Sequence, residues 1–145
     1  MTPNPAAEIL SMIETVSPDD VAKLDQIDAR VWCYLNDDGG NIVFVGKEKF
    51  GYTYAFGDDF GVDSGIYNTD EKQYTRSRDE LKKIRPQGWC FDLDSYYNHP
   101  AGKVLFDCSC DKINYEDCLQ TPAFLTEELA ELHCIIQAIE YERTK

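Results

Sequence analysis

A β-hairpin is predicted by residues 89–110, WCFDLDSYYNHPAGKVLFDCSC. Residues 91–94, Phe-Asp-Leu-Asp, alternate apolar and acidic side chains, which is the pattern of a strand with one buried and one wet face. Residues 103–110 alternate in the same way, and the intervening residues 99–102, HPAG, favour a turn. Because the connection is short, we expect the two strands to pair antiparallel.

Two long helices are predicted, one before and one after this hairpin. Residues 17–20, SPDD, suit a helix start with Ser17 as the cap, and apolar residues then recur at three- and four-residue steps as far as Leu35. Thr121 or Thr126 caps a last helix that runs to about residue 143, with one apolar face and a glutamate-rich reverse.

Two shorter helices complete the pattern. One covers residues 4–15, and the other covers 78–84, where Ser77 and Glu80 form a capping box. Together these elements predict an α+β fold, with a small antiparallel sheet of three to five strands packed with two main helices and one or two short ones.

The length of 145 residues predicts a single domain, 1–145. Residues 39–73 are predicted to be an addition to the basic fold of that domain. Within that addition, residues 42–46 and 50–56 are rich in β-branched and aromatic side chains and predict a second hairpin. Residues 57–70 hold three glycines and four aspartates, a composition typical of a loop.

The chain is strongly acidic, with 27 Asp and Glu against 14 Lys and Arg and a net charge of -13 at pH 7. Six of the basic residues fall between positions 72 and 85, where the local net charge is +4. An acidic body is repelled by nucleic acid and attracted to basic protein surfaces. We therefore expect a basic protein partner and no direct binding of nucleic acid.

The sequence also predicts a cytoplasmic protein. Its first 16 residues lack the basic and apolar regions of a signal peptide, and no apolar run reaches the roughly 18 residues of a membrane span. The six cysteines are accordingly expected as free thiols, and no metal or cofactor is predicted. One zinc set stays open, although its spacing departs from the usual ligand pairs: Cys108, Cys110, Cys118 and His99.

No pattern in the chain points to catalysis. His133 and Cys134 are sequence neighbours on a helix, about 100° apart around its axis, and are poorly placed to act as base and nucleophile. Asp92 and Asp94 are explained as the wet face of a strand. The acidic residues 57–70 lack the bidentate glutamate of a calcium loop. The sequence therefore predicts no catalytic residue and a protein that is not an enzyme.

Three stretches resemble the phage α-β-α sandwich domain, found in small proteins encoded by bacteriophages and prophages of proteobacteria. They are residues 23–36 (KLDQIDARVWCYLN), 74–89 (YTRSRDELKKIRPQGW) and 126–142 (TEELAELHCIIQAIEYE), about a third of the chain. The resemblance implies a phage setting and supplies no catalytic position.

A phage setting and an acidic surface favour an accessory protein that acts by binding, as an inhibitor or adaptor of a host protein that takes part in defence or handles nucleic acid. The sequence leaves self-association open. The predicted protein-binding residues come from the acidic segment 57–70 and the last helix: Asp58, Asp59, Phe60, Asp63, Tyr67, Glu127, Glu128 and Glu131.

An alternative assigns function to the basic residues between 72 and 85. Their charge, next to the amides of a helix start, would suit an anion or a nucleotide signal that the protein sequesters. The residues of this alternative site are Arg76, Arg78, Lys82, Lys83 and Arg85.

Overall fold

The structure, a computed structural model, describes residues 5–36, 41–48, 51–58, 61–67, 73–98, 102–112 and 118–144, with backbone only in the second to fourth ranges. This part of the chain contains four helices and two three-stranded antiparallel sheets, so the fold is α+β as predicted. None of these four helices is both long and apolar enough to cross a membrane. The chain divides into two compact units, Met1–Thr75 and Arg76–Lys145, and the single domain stays a prediction.

The first unit contains two helices and one sheet. Its elements are α1 (Pro5–Thr15), α2 (Val21–Asn36), β1 (Asn41–Glu48), β2 (Gly51–Asp58) and β3 (Gly61–Tyr67). The strands lie in the order β1-β2-β3, α1 packs on α2, and α2 packs on β1 and β2. The fully buried side chains of the two helices form its core: Ile9, Ile13, Leu24, Ile27 and Val31.

The helix α2 begins later than predicted. The Ser17 hydroxyl accepts a hydrogen bond from the Asp19 amide at 3.3 Å and forms a turn. The carboxylate of Asp20 accepts from the Lys23 amide at 3.2 Å, so Asp20 is the residue that caps the helix. Deeper in α2 the buried Asp28 accepts from the Thr75 amide at 2.8 Å and holds that segment to the helix.

The loop predicted over residues 57–70 is wrong for the part of that segment that the structure describes. Gly57 and Asp58 end β2, and β3 pairs with β2 from Tyr52↔Tyr67 to Asp58↔Gly61. The ladder to β2 satisfies the backbone of β3, and this outweighs a composition that favours turns.

The second unit contains the predicted hairpin. Its elements are α3 (Arg78–Ile84), β4 (Trp89–Asn98), β5 (Lys103–Lys112), β6 (Cys118–Gln120) and α4 (Glu127–Thr144). The strands lie in the order β4-β5-β6, and β4 pairs with β5 along its whole length. The antiparallel hairpin is therefore confirmed, and the cap of α4 is Thr126, whose hydroxyl accepts from the Leu129 amide at 3.2 Å.

The helix α4 is buried more completely than its sequence predicts. Every residue from Leu129 to Ile136 is buried, because α4 packs against α3 as well as against the three strands β4, β5 and β6. Leu81 of α3 is fully buried too. A helix enclosed in this way carries apolar side chains on most sides, and its one buried acid, Glu131, needs partners that neutralise it.

Candidate functional site

The buried acid of α4 forms an ion-pair cluster with two arginines. Glu131 is 1% exposed, and its Oε1 accepts hydrogen bonds from Arg78 at 3.2 Å and from Arg85. Arg78 also reaches Glu127 at 3.2 Å, and the Arg85 guanidinium lies over the Phe91 ring at 5.2 Å from its centroid. The cluster thus ties the start and end of α3 to α4.

Three glutamates of α4 also act on the acid–base equilibrium of Arg78. Partial burial lowers the pKa of Arg78, but its hydrogen bond to Glu131 and the charges of Glu131, Glu127 and Glu128 raise it, and the net result is a pKa above the usual value. Arg78 therefore stays charged and matches the negative charge on Glu131.

This cluster corrects one predicted binding residue. Glu131 does not lie on an exposed glutamate face, because α3 covers it and two arginines pair with its Oε1. Glu127 is partly exposed but is paired with Arg78, and Glu128 is half-buried. Of the three predicted binding residues of the last helix, Glu127 and Glu128 remain within reach of a partner.

The cluster also gives an internal role to cations of the alternative anion site. Arg78 and Arg85 bond to glutamates of α4, and the Lys83 Nζ lies 3.0 Å from Glu80. Three of the five predicted cations are therefore already matched by carboxylates of the same chain. The other two are Arg76, which is half-buried, and Lys82, which is exposed.

A different acidic surface lies on the second sheet. Asp92 and Asp94 of β4 are exposed, and strand pairing places Asp94 directly opposite Asp107 of β5. Asp111 lies four residues further along β5 and on the same face, because residues two apart in a strand share a face. We call these four residues the acidic sheet face: Asp92, Asp94, Asp107 and Asp111.

The acidic sheet face contains a pair of like charges that the fold does not require. Side chains directly opposite in an antiparallel pair have Cβ atoms about 5 Å apart, and like charges at that position destabilise the sheet. At about 5 Å in a water-like dielectric the repulsion between the carboxylates of Asp94 and Asp107 is about 0.8 kcal/mol.

The same hairpin exposes large apolar side chains at its turn end. Tyr96, Tyr97 and Val104 are 45%, 54% and 49% exposed. Tyr97 lies opposite Val104 and on the reverse face from Tyr96, so both faces of the hairpin are open there. Aromatic side chains are enriched at protein interfaces.

Three thiols form a buried cluster between β5 and α4. Cys108, Cys110 and Cys134 are all free and buried. Hydrogen bonds to Cys108 and Cys110, together with burial, raise the pKa of Cys134. Cys134 therefore stays a neutral thiol and packs as a small core side chain.

The third cysteine of the zinc set, Cys118, lies on the other side of the sheet. Cys118 pairs with Asp111, so it shares the outer face with that residue, whereas Cys108 and Cys110 face inward. One tetrahedral shell cannot take ligands from both faces. His99 lies outside the described residues, and among those described no group of three or more His, Cys, Asp or Glu side chains could hold a metal ion.

His133 and Cys134 point to different partners. His133 Nδ1 lies 2.8 Å from the Gln137 side-chain nitrogen, and its ring packs on Phe124 at 5.3 Å between centroids. The Cys134 thiol bonds to the cysteines of β5. His133 and Cys134 therefore do not act together as base and nucleophile.

The predicted binding residues of the first unit lie in its sheet. Asp58 is the last residue of β2, and Asp63 and Tyr67 belong to β3. Asp59 and Phe60 lie outside the described residues.

No known family, no curated protein and no solved structure matches the chain.

Proposed function

We propose that this chain is a phage-encoded acidic accessory protein that binds a host protein with a basic surface in the host cytoplasm. It acts by contact, as an inhibitor or adaptor, and performs no catalysis. The observation that carries the proposal is the acidic sheet face, where the exposed Asp94 lies opposite the half-buried Asp107.

The charge arrangement supports a partner of opposite sign. A Lys or Arg placed between Asp94 and Asp107 would replace their repulsion by two attractions. The charges that destabilise the free protein would therefore stabilise the complex. The net charge of -13 adds a long-range attraction that speeds encounter with a basic protein.

The same charge suggests how an inhibitor would work. A host protein that grips nucleic acid does so with Lys and Arg that neutralise phosphates. An acidic protein occupying those cations competes with the nucleic acid for them, while its own charge keeps it off nucleic acid. The host protein should then bind either this protein or DNA, but not both at once.

A capture experiment from host lysate tests the proposal. The tagged protein is compared with the variant Asp92→Asn/Asp94→Asn/Asp107→Asn, and the control carries the same charge change at exposed acids elsewhere: Glu14→Gln/Asp19→Asn/Asp79→Asn.

The parent and the control should capture a basic protein that rising salt releases, since the screening length falls from about 10 Å at 0.1 M to about 3 Å at 1 M salt. The variant Asp92→Asn/Asp94→Asn/Asp107→Asn should no longer capture this protein. Capture of no basic protein, or equal loss in both variants, would contradict a specific role of the acidic sheet face.

A further inference from the structure

The outer edge of β4 is an open strand edge in the described part of the chain. Strand β4 lies at one end of the order β4-β5-β6 and is ten residues long. The other side of β5 is taken by β6 and by the Phe106–Phe124 bridge, whose two backbone hydrogen bonds measure 2.8 and 2.7 Å. No strand pairs with the second side of β4 among the described residues.

An open edge offers backbone groups to a further strand. In an antiparallel pair the N–H and C=O groups of alternate residues point away from the partner strand, so about half of the β4 residues direct theirs outward. The side chains along the outer face of β4 are exposed: Cys90, Asp92, Asp94 and Tyr96. The outer face beside this edge is thus accessible over most of the strand.

The charges on β4 decide which strand can pair with it. A second copy of β4 would bring Asp92 and Asp94 against the same carboxylates, and charged residues at an edge are a common protection against such pairing. A strand with Lys or Arg at alternate positions places its cations on the same face as Asp92 and Asp94, because both have a two-residue period.

We infer that the outer edge of β4 is a docking site for an extended segment of a partner protein that carries Lys or Arg at alternate positions. The segment adds as a fourth strand of the second sheet; its backbone supplies affinity, and its cations beside Asp92 and Asp94 supply selectivity. This inference rests on the proposed function and specifies how the basic partner is held.

The test uses defined peptides and the full chain. The probe is a capped ten-residue peptide of alternating Lys and Val, and the matched control replaces Lys by Glu at the same strand propensity. Two further probes are methylated on backbone nitrogens, one at every Lys and the other at every Val. They differ because alternate backbone amides of a strand point to opposite edges. Affinity is measured by calorimetry, and hydrogen exchange locates the binding segment.

The Lys peptide should bind and protect amides of residues 89–98 from exchange, and the Glu peptide should not bind. One N-methylated probe should lose at least about tenfold in affinity while the other keeps it. The variant Asp92→Asn/Asp94→Asn should bind the Lys peptide about five- to tenfold more weakly, as expected for two exposed ion pairs. The control Asp19→Asn/Asp79→Asn should bind it like the parent.

Equal affinity of the two N-methylated probes, or protection elsewhere than in 89–98, would overturn the edge site. If the lysate experiment captures a salt-released basic partner while the peptides show no protection of β4, this inference fails and the proposed function stands. If the peptides bind at β4 but no basic partner is captured, the proposed function fails and the edge site stands.

Discussion

The substitution Glu131→Gln should destabilise the second unit by about 2 kcal/mol. It keeps the shape of the side chain but removes its charge, so the two contacts from Arg78 and Arg85 change from ion pairs to hydrogen bonds that are charged only on the arginine side. The lost attraction between opposite charges about 4 Å apart is about 1 kcal/mol per pair in a water-like dielectric, which gives about 2 kcal/mol for the two pairs.

The exposure of the arginines sets the upper bound. Breaking a fully buried ion pair costs about 3–5 kcal/mol, mostly because a charge is left buried without a partner. Arg78 and Arg85 are 38% and 30% exposed, so water can solvate them in part after the substitution, and the cost should lie below that range.

Urea unfolding followed by Trp89 fluorescence measures this cost, in a Trp32→Phe background that leaves Trp89 as the one tryptophan. The control is Glu127→Gln, which removes the same charge from the same helix and the same Arg78. Because the Glu127 pair is 39% exposed on the glutamate side, it should cost less than about 1 kcal/mol. Equal costs for the two variants, or a cost below about 0.5 kcal/mol for Glu131→Gln, would show that the charge of Glu131 does not stabilise the contact between α3 and α4.

Three further predictions concern single contacts of the second unit. Asp94→Asn should raise its stability by about 0.5 kcal/mol at low salt, since it removes the repulsion with Asp107; urea unfolding should show this gain vanish at 1 M salt, and a loss of stability would contradict it. Ser77→Ala should cost about 1 kcal/mol in the same assay, because the Ser77 hydroxyl accepts from the Glu80 amide at 3.3 Å; a cost near zero would show that the cap is unimportant. Asp111→Asn should speed alkylation of Cys118 at pH 8, since the hydrogen bond to Asp111 raises the pKa of that thiol and leaves less reactive thiolate; an unchanged rate in peptide mass mapping would argue against that bond.

Helices and strands whose bounds depend on residues nearby in the sequence could be predicted. The helix α3 has the predicted bounds, Arg78–Ile84, because its capping signal lies within four residues of its start and Pro86 follows its end. The hairpin of β4 and β5 was predicted for the same reason, since its alternation and its turn are both local.

Features that depend on residues far apart in the sequence could not be predicted. The composition of residues 61–67 favours a loop, and only the ladder to β2 makes this segment a strand. The burial of Glu131 depends on α3 bringing Arg78 and Arg85 against α4, and no local pattern in α4 signals that contact.

The acidic sheet face lies between these cases. The sequence marked Asp92 and Asp94 as the wet side of a strand but did not place Asp107 opposite Asp94. That placement follows once Asn98 pairs with Lys103 across the turn, because each step along β4 is then matched by one step back along β5. A prediction of the register as well as the hairpin would have found this surface.

The salt dependence of affinity for the captured host protein shows whether the acidic sheet face holds that protein by charge. Titration at several salt concentrations compares the parent with Asp92→Asn/Asp94→Asn/Asp107→Asn. We predict that the affinity of the parent is high at low salt and falls steeply as salt rises, whereas the variant binds weakly with a shallow dependence. The same affinity and the same slope for both proteins would contradict a binding role for the acidic sheet face.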